Sequence, residues 1–218
     1  MEASKTGNSS ETDQLLERLA AGDREVWGDI LARHRERLRW MVALRLDPRL
    51  QGRLDPSDVI QEAFLTASVQ LEGYLQKPTM PFFLWLRAIT GQKMIALHRH
   101  HLGKKIRDAG REVSLLNRAL PEASSAALAA QLLGHETRPS QAAMREELET
   151  RVHEALDGMD PIDREVLVLR HFEQLNNAEV AQVLELRESA ASKRYIRALR
   201  RLKEILKEIP GGIEGLWP

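Results

Sequence analysis

Apolar residues in this chain recur three or four positions apart, and nowhere does an alternating apolar–polar run of strand length appear. Leu15, Leu16, Leu19, Val26, Trp27, Ile30, Leu31, Leu38, Met41 and Val42 hold helical spacing, which predicts helix from Asp13 to about Leu46. Ala21-Gly22-Asp23 breaks it in two. Residues 1–12, rich in Ser, Thr and Asn, are expected to be disordered. "LDPRLQGRLDP" reads as a loop. The next helix starts strongly: Asp55 can cap, Pro56 suits the first helical position, and Asp58 complements the helix dipole. "GYLQKPTMP" (73–81) is a loop, and a long helix follows from Phe82 to Arg107 despite Gly91, which costs about 1 kcal/mol there.

Residues 111–140 change character. They are Ala/Ser-rich, punctuated by Pro and Gly, and predict a linker with one weak helix at 122–133. Beyond it, Asp160-Pro161-x-Asp163 repeats the earlier start signal, and Asn176 with Glu179 forms a capping box. Three helices result, at about 161–172, 177–184 and 188–207. The fold class is therefore all-α, with two helical domains at 13–110 and 141–208, a flexible linker at 111–140 and a tail at 209–218.

Charge changes the picture. The chain is neutral overall, yet Trp85–Arg111 holds seven Lys or Arg against Asp108 alone, and Arg187–Lys207 holds eight against Glu188 and Glu204. Each window is six charges positive, so the remainder is twelve negative. Two basic helices on an acidic body point to a polyanion touched at two places. The last two helices have helix-turn-helix proportions, with Ala181, Val183, Leu184 and Leu186 facing Ala191, Tyr195 and Leu199. In such a motif Glu188, Ser189, Ser192 and Lys193 are placed for base edges, and Arg194, Arg197, Arg200 and Arg201 for phosphates or guanine edges.

Other chemistry is excluded step by step. There is no cysteine, hence no disulfide or Cys-based zinc site. His98, His100 and His101 lack acidic neighbours and sit in positive surroundings, so no metal and no cofactor is expected. No phosphate-binding glycine loop or catalytic triad pattern is present, and the chain is not expected to be an enzyme. No secretory signal or apolar run of about 20 residues appears, so a cytoplasmic location is expected.

"LDGMDPIDREVLVLRHFEQLNNAEVAQVLELRESAASKRYIRALRRLKEIL" resembles the C-terminal region of bacterial RNA polymerase sigma factors of the sigma-70 family, the part that reads the minus-thirty-five element. "DPSDVIQEAFL" resembles the sigma region-two helix that docks on core polymerase. "PFFLWLRAITGQKMIALHRHHLGKKIRD" resembles the adjoining region that melts and reads the minus-ten element. The three occur in family order and fit the small two-domain extracytoplasmic-function class.

The resemblance implies core RNA polymerase and promoter DNA as partners, with an anti-sigma protein as a further partner of the class to which no residues are assigned. Asp58, Gln61, Glu62 and Leu65, which share a helix face, would contact polymerase. Lys93, Arg99, Lys104, Lys105 and Arg107 would lie on minus-ten DNA, with Tyr74 as the candidate to stack on an unpaired base. Trp85 is read as core. Departures from the family pattern include Gln92 and Ala96 where many members carry Asn and Asp, Glu185 where the turn usually carries Gly, and Arg187 where the recognition helix is usually capped by Ser or Thr. The competing readings are a stand-alone helix-turn-helix regulator with an N-terminal dimerisation or sensing domain, and an interaction protein whose basic helices meet an acidic partner.

Overall fold

The structure, a computed structural model, describes residues 3–50, 54–102, 120–133 and 142–207. Among them are nine α-helices and no strand: α1 (Ala3–Ala20), α2 (Val26–Arg45), α3 (Pro56–Gln76), α4 (Phe82–Leu102), α5 (Ser125–Leu132), α6 (Ala142–Asp157), α7 (Pro161–His171), α8 (Asn177–Val183) and α9 (Glu188–Lys207). They form two compact units, Met1–Leu120 and Pro121–Pro218. None of the helices among the described residues is long and apolar enough to cross a membrane.

Local chemistry sets the helix boundaries. Asp55 accepts from the Ser57 amide at 2.7 Å, with Pro56 at the first position of α3. Asp160 does the same for Ile162 and Asp163 at the start of α7. Asn176 and Glu179 close a reciprocal capping box on α8. Helix α1 ends in a Schellman turn: the Asp23 amide reaches the Arg18 carbonyl and the Gly22 amide the Leu19 carbonyl. Gly22 sits at φ +101°, a conformation that costs a residue without Cβ nothing.

In unit 1, α2, α3 and α4 enclose a core that includes Ile30, Leu38, Met41, Ile60, Ala63, Leu84, Leu86 and Met94. Helix α4 is buried on nearly every side in its first half, including Arg87 and Thr90. Gly91 has a packing reason: a Cβ there would meet Leu120 Cδ2 at 2.5 Å.

Two boundaries differ from the sequence expectation. Helix α1 extends back to Ala3, where residues 1–12 were expected to be disordered. Its described part is held by burial of Thr12 and Leu19 against α2 and by an Arg33–Glu11 ion pair. Unit 2 begins at Pro121 rather than near residue 141, because α5 packs on α6 through Leu128 and Ala129. Buried Arg164 of α7 adds a tie, donating to the Leu156 carbonyl at 3.0 Å and to Glu122 at 3.3 Å. The rest of the expected linker and the tail lie outside the described residues.

His34 is buried between Phe82 and Phe83, at ring-centroid distances of 5.6 and 5.5 Å, with Thr12 Oγ1 at 3.5 Å from Nε2. Burial, together with the charges of Arg37 and Arg33, lowers its pKa to about 3. The folded state thus holds a neutral ring, whereas the unfolded chain takes up a proton below its ordinary value of 6.5. Between those values the unfolded state carries the extra proton, so stability falls as pH falls. Three of the four tryptophans, Trp27, Trp40 and Trp85, lie in unit 1 and report its unfolding. Denaturant titrations followed by tryptophan fluorescence should show that His34→Leu removes about 1.4 kcal/mol per pH unit from the acid side of the profile. An unaltered pH slope would show that His34 is protonated in the fold.

Candidate nucleic-acid interface

The last two helices of unit 2 meet through a four-residue connection, Leu184–Arg187. It is a second Schellman turn: the Leu186 amide donates to the Ala181 carbonyl at 2.9 Å, six residues closing on the first. The residue in the left-handed position is Glu185, at φ +54°. A side chain there costs roughly 1–2 kcal/mol that glycine would not. Asn177 Nδ2 ties the two helices together by donating to the Glu188 carbonyl at 2.9 Å. Arg187 contributes its carbonyl to the first turn of α9, accepting from Ala190 and Ala191.

Helix α9 buries Ala191, Ala198 and Leu202 and packs on α6, α7 and α8. That stripe turns the opposite side outward. Glu188, Ser189, Ser192, Lys193, Arg200 and Arg201 are all exposed. An exposed apolar residue escaped the sequence reading: Ile196, 47% exposed, lies three residues after Lys193 and four before Arg200. An isoleucine in an otherwise polar helix face is the signal that could have found it. Apolar side chains in a major groove contact the thymine methyl.

Arg194 and Arg197 are placed differently from expectation. Arg197 donates Nε to Asp163 Oδ2 at 2.5 Å and Nη2 to Oδ1 at 2.8 Å. Arg194 donates Nη1 to Asp163 Oδ1 at 2.6 Å and to Asp160 Oδ1 at 3.2 Å. Asp163 has a side chain only 4% exposed. Burial pushes its pKa up, but the hydrogen bonds from Arg197 and Arg194 outweigh burial and hold it below the usual carboxylate range. Arg194 also follows Ala191 by three and precedes Ala198 by four, which turns it toward the buried stripe.

In unit 1 the structure brings Asp58, Gln61, Glu62 and Leu65 together on the outer side of α3, all exposed. Val69 extends the row one turn further and was missed, although its spacing from Leu65 pointed to it. Leu65 is 70% and Val69 85% exposed, while Val59, Ile60, Ala63, Ala67 and Leu71 face the core. Two large apolar side chains in water beside two carboxylates make a surface suited to a partner with apolar and basic groups.

The basic side of α4 is partly as expected. Arg99 is exposed and Lys93 half-exposed, on a side shared with exposed Gln92 and Ala96. Lys104, Lys105 and Arg107 lie outside the described residues, as does the side chain of His101. Tyr74 already stacks within unit 1. It belongs to the last turn of α3, its hydroxyl donates to the Met80 carbonyl at 3.0 Å, and its ring stacks on half-exposed Trp85 at 4.6 Å. Burial raises its pKa to about 12. His98 is buried and accepts from the Asp47 amide at 3.5 Å. Among the described residues no group of three or more His, Asp or Glu is arranged to hold a metal.

Residues 149–202 match the family model described as Sigma-70, region 4. Over 91% of its length the chain is 31% identical to RNA polymerase sigma factor CnrH of Cupriavidus metallidurans, spanning 96% of that protein. It is 27% identical to ECF RNA polymerase sigma factor SigD of Mycobacterium tuberculosis, over 92% of this chain and 86% of the relative. A solved structure of CnrH in complex with the cytosolic domain of CnrY is 26% identical, with a TM-score of 0.49, covering 89% of this chain and 96% of that one.

The left-handed Glu185 gives a direct stability test. Replacing it with glycine removes the Cβ strain but adds unfolded-chain entropy, so Glu185→Gly should stabilise unit 2 by about 0.5–1 kcal/mol, seen as a raised Tm. Glu185→Val should lower it, because a β-branched side chain fits that φ worst.

Proposed function

We propose, from the premise that this chain belongs to the extracytoplasmic-function class of RNA polymerase sigma factors, that its two units divide the work of initiation between an acidic–apolar docking stripe and a basic recognition helix. Such a factor joins core polymerase and directs promoter-specific transcription initiation. In this reading unit 1 docks on core polymerase through Asp58, Gln61, Glu62, Leu65 and Val69. Unit 2 lays α9 in the major groove of the minus-thirty-five element, with Glu188, Ser189, Ser192 and Lys193 at base edges, and Arg200 and Arg201 on phosphates. Ile196 lies against a thymine methyl. Lys93 and Arg99 of α4 follow the strand near the minus-ten element, with Lys104, Lys105 and Arg107 continuing the basic run in sequence.

The observation that carries the reading is the exposed apolar pair on α3. Burying Leu65 or Val69 against a partner stabilises the complex by about 1.5–3 kcal/mol each. Acidic neighbours select a basic partner and speed encounter more than they strengthen the final complex. The chain itself makes no bonds. Strand opening draws its free energy from contacts with unpaired bases and phosphates.

Run-off transcription with purified core enzyme tests the whole reading. The chain alone should confer initiation on its promoter; a requirement for a second sigma factor would make it a helix-turn-helix regulator instead. Asp58→Lys with Glu62→Lys, or Leu65→Ser alone, should weaken core binding tenfold or more, on the order expected for losing one buried leucine. Binding of the same variants to duplex DNA should be unaffected, and a parallel loss of both would refute the division of labour. For Ile196, deoxyuridine in place of one thymine should cost natural holoenzyme about fourfold in promoter affinity, the worth of one buried methyl. Holoenzyme carrying Ile196→Ala should be indifferent to that replacement; equal sensitivity in both would place the methyl elsewhere.

A further inference from the structure

Asp163 lies in the first turn of α7, away from the exposed side of α9, yet three guanidinium N–H groups of α9 end on it. We infer that Asp163 is an internal stand-in for a DNA phosphate: a positioning residue that withholds Arg194 and Arg197 from the duplex and so limits the sequence-independent part of the affinity of α9. The inference rests on α9 being the DNA-facing helix.

The donor geometry is the one a phosphate would receive. Arg197 presents Nε and Nη2 side by side to the two carboxylate oxygens, the same fork that guanidinium offers to phosphate. Arg197 has a side chain 60% exposed, so it is placed where DNA could reach it, but both of those donors are already taken. Arg194 is bound twice, to Asp163 and to Asp160. An arriving phosphate would have to strip cations from a buried carboxylate and leave that charge without partners. Phosphates sit in high-dielectric solvent and offer a weaker field in return. The exchange therefore runs against the DNA, and both arginines stay on the protein.

The consequence concerns specificity. Sequence-independent binding grows with the number of phosphates neutralised, whereas base-edge contacts discriminate. The segment Arg187–Lys207 carries eight cations. Leaving all of them free would favour random DNA as much as promoter DNA. Holding two back lowers the first without touching Ser189, Ser192 or Lys193, which remain exposed. A simple bolt between α7 and α9 would make the same contacts, but it predicts a different dependence on salt.

The test uses the full chain, a short random-sequence duplex and fluorescence anisotropy across a series of KCl concentrations. Asp163→Asn should bind this duplex more tightly than the natural chain. Its plot of log affinity against log salt should steepen by about 0.9 for each guanidinium released. In the natural background, Arg197→Ala should leave the slope unchanged, while Arg200→Ala should make it shallower by about 0.9. Circular dichroism checks that each variant is folded, and if Asp163→Asn is not, the Arg197 and Arg200 pair decides alone. An unchanged or shallower slope in folded Asp163→Asn overturns the inference. So does a flattening by Arg197→Ala equal to that of Arg200→Ala. If the natural chain shows no salt-dependent binding at all, the DNA-facing reading of α9 fails and the inference falls with it. If that binding is present and only the Asp163 and Arg197 results disagree, the inference alone is lost.

Discussion

Burial of a narrow stripe on α9, Ala191, Ala198 and Leu202, is the constraint on which unit 2 depends. A helix with so many cations can bury only one side. Two small residues and one leucine are the side it buries where it packs on α6, α7 and α8. With that side buried, every other position on α9 has its role assigned by spacing. Residues in register with the stripe meet the body of the unit, and those half a turn away meet solvent. Arg194 falls in the first group and Lys193 in the second, although the two are adjacent.

Unit 1 uses the same geometry with a different outcome. Helix α3 buries Val59, Ile60, Ala63, Ala67 and Leu71 and still presents Leu65 and Val69 to water. The fold does not require those two side chains, and leaving them exposed works against solubility. Helix α4 is the opposite case. Its first half is mostly enclosed, Arg87 included, and its fully exposed positions among the described residues begin at Gln92. The aromatic cluster of Tyr74, Phe82 and Trp85 joins the end of α3 to the start of α4. Tyr74 stacks on Trp85, while Phe82 meets Tyr74 edge-on and Trp85 at a tilt, which ties the short connection between the helices.

Buried polar groups give both units a single arrangement. Arg164 reaches a carbonyl of α6 and the acidic residue that precedes α5, so a segment with a weak pattern of its own becomes part of unit 2. Asp163 gathers two arginines, and Arg37 lies over the Phe83 ring at 3.5 Å. Each of these groups is costly to bury unless its partner is in place. An alternative packing that lost one partner would leave a charge stranded, which favours the native arrangement over near competitors.

The helix starts were legible in the amino-acid order because capping is a short-range event. Asp55-Pro56, Asp160-Pro161 and Asn176 with Glu179 act within one turn, and Gly22 ends α1 by the conformation only it adopts freely. The exposed stripe of α3 and the outward cations of α9 were legible for a similar reason: periodicity of three and four defines a face. Periodicity does not say what a face will meet. The pairing of Arg194 and Arg197 with Asp163 spans more than thirty residues of sequence. The stacking of Tyr74 on Trp85, the burial of His34 between two phenylalanines, and the attachment of α5 to α6 likewise follow from which helices lie side by side. Local sequence determined where the helices start and stop and which sides could be buried. Only tertiary packing decided which charges and rings were spent inside the protein and which were left for a partner, because partner choice depends on proximity in space, which spacing along one helix does not encode.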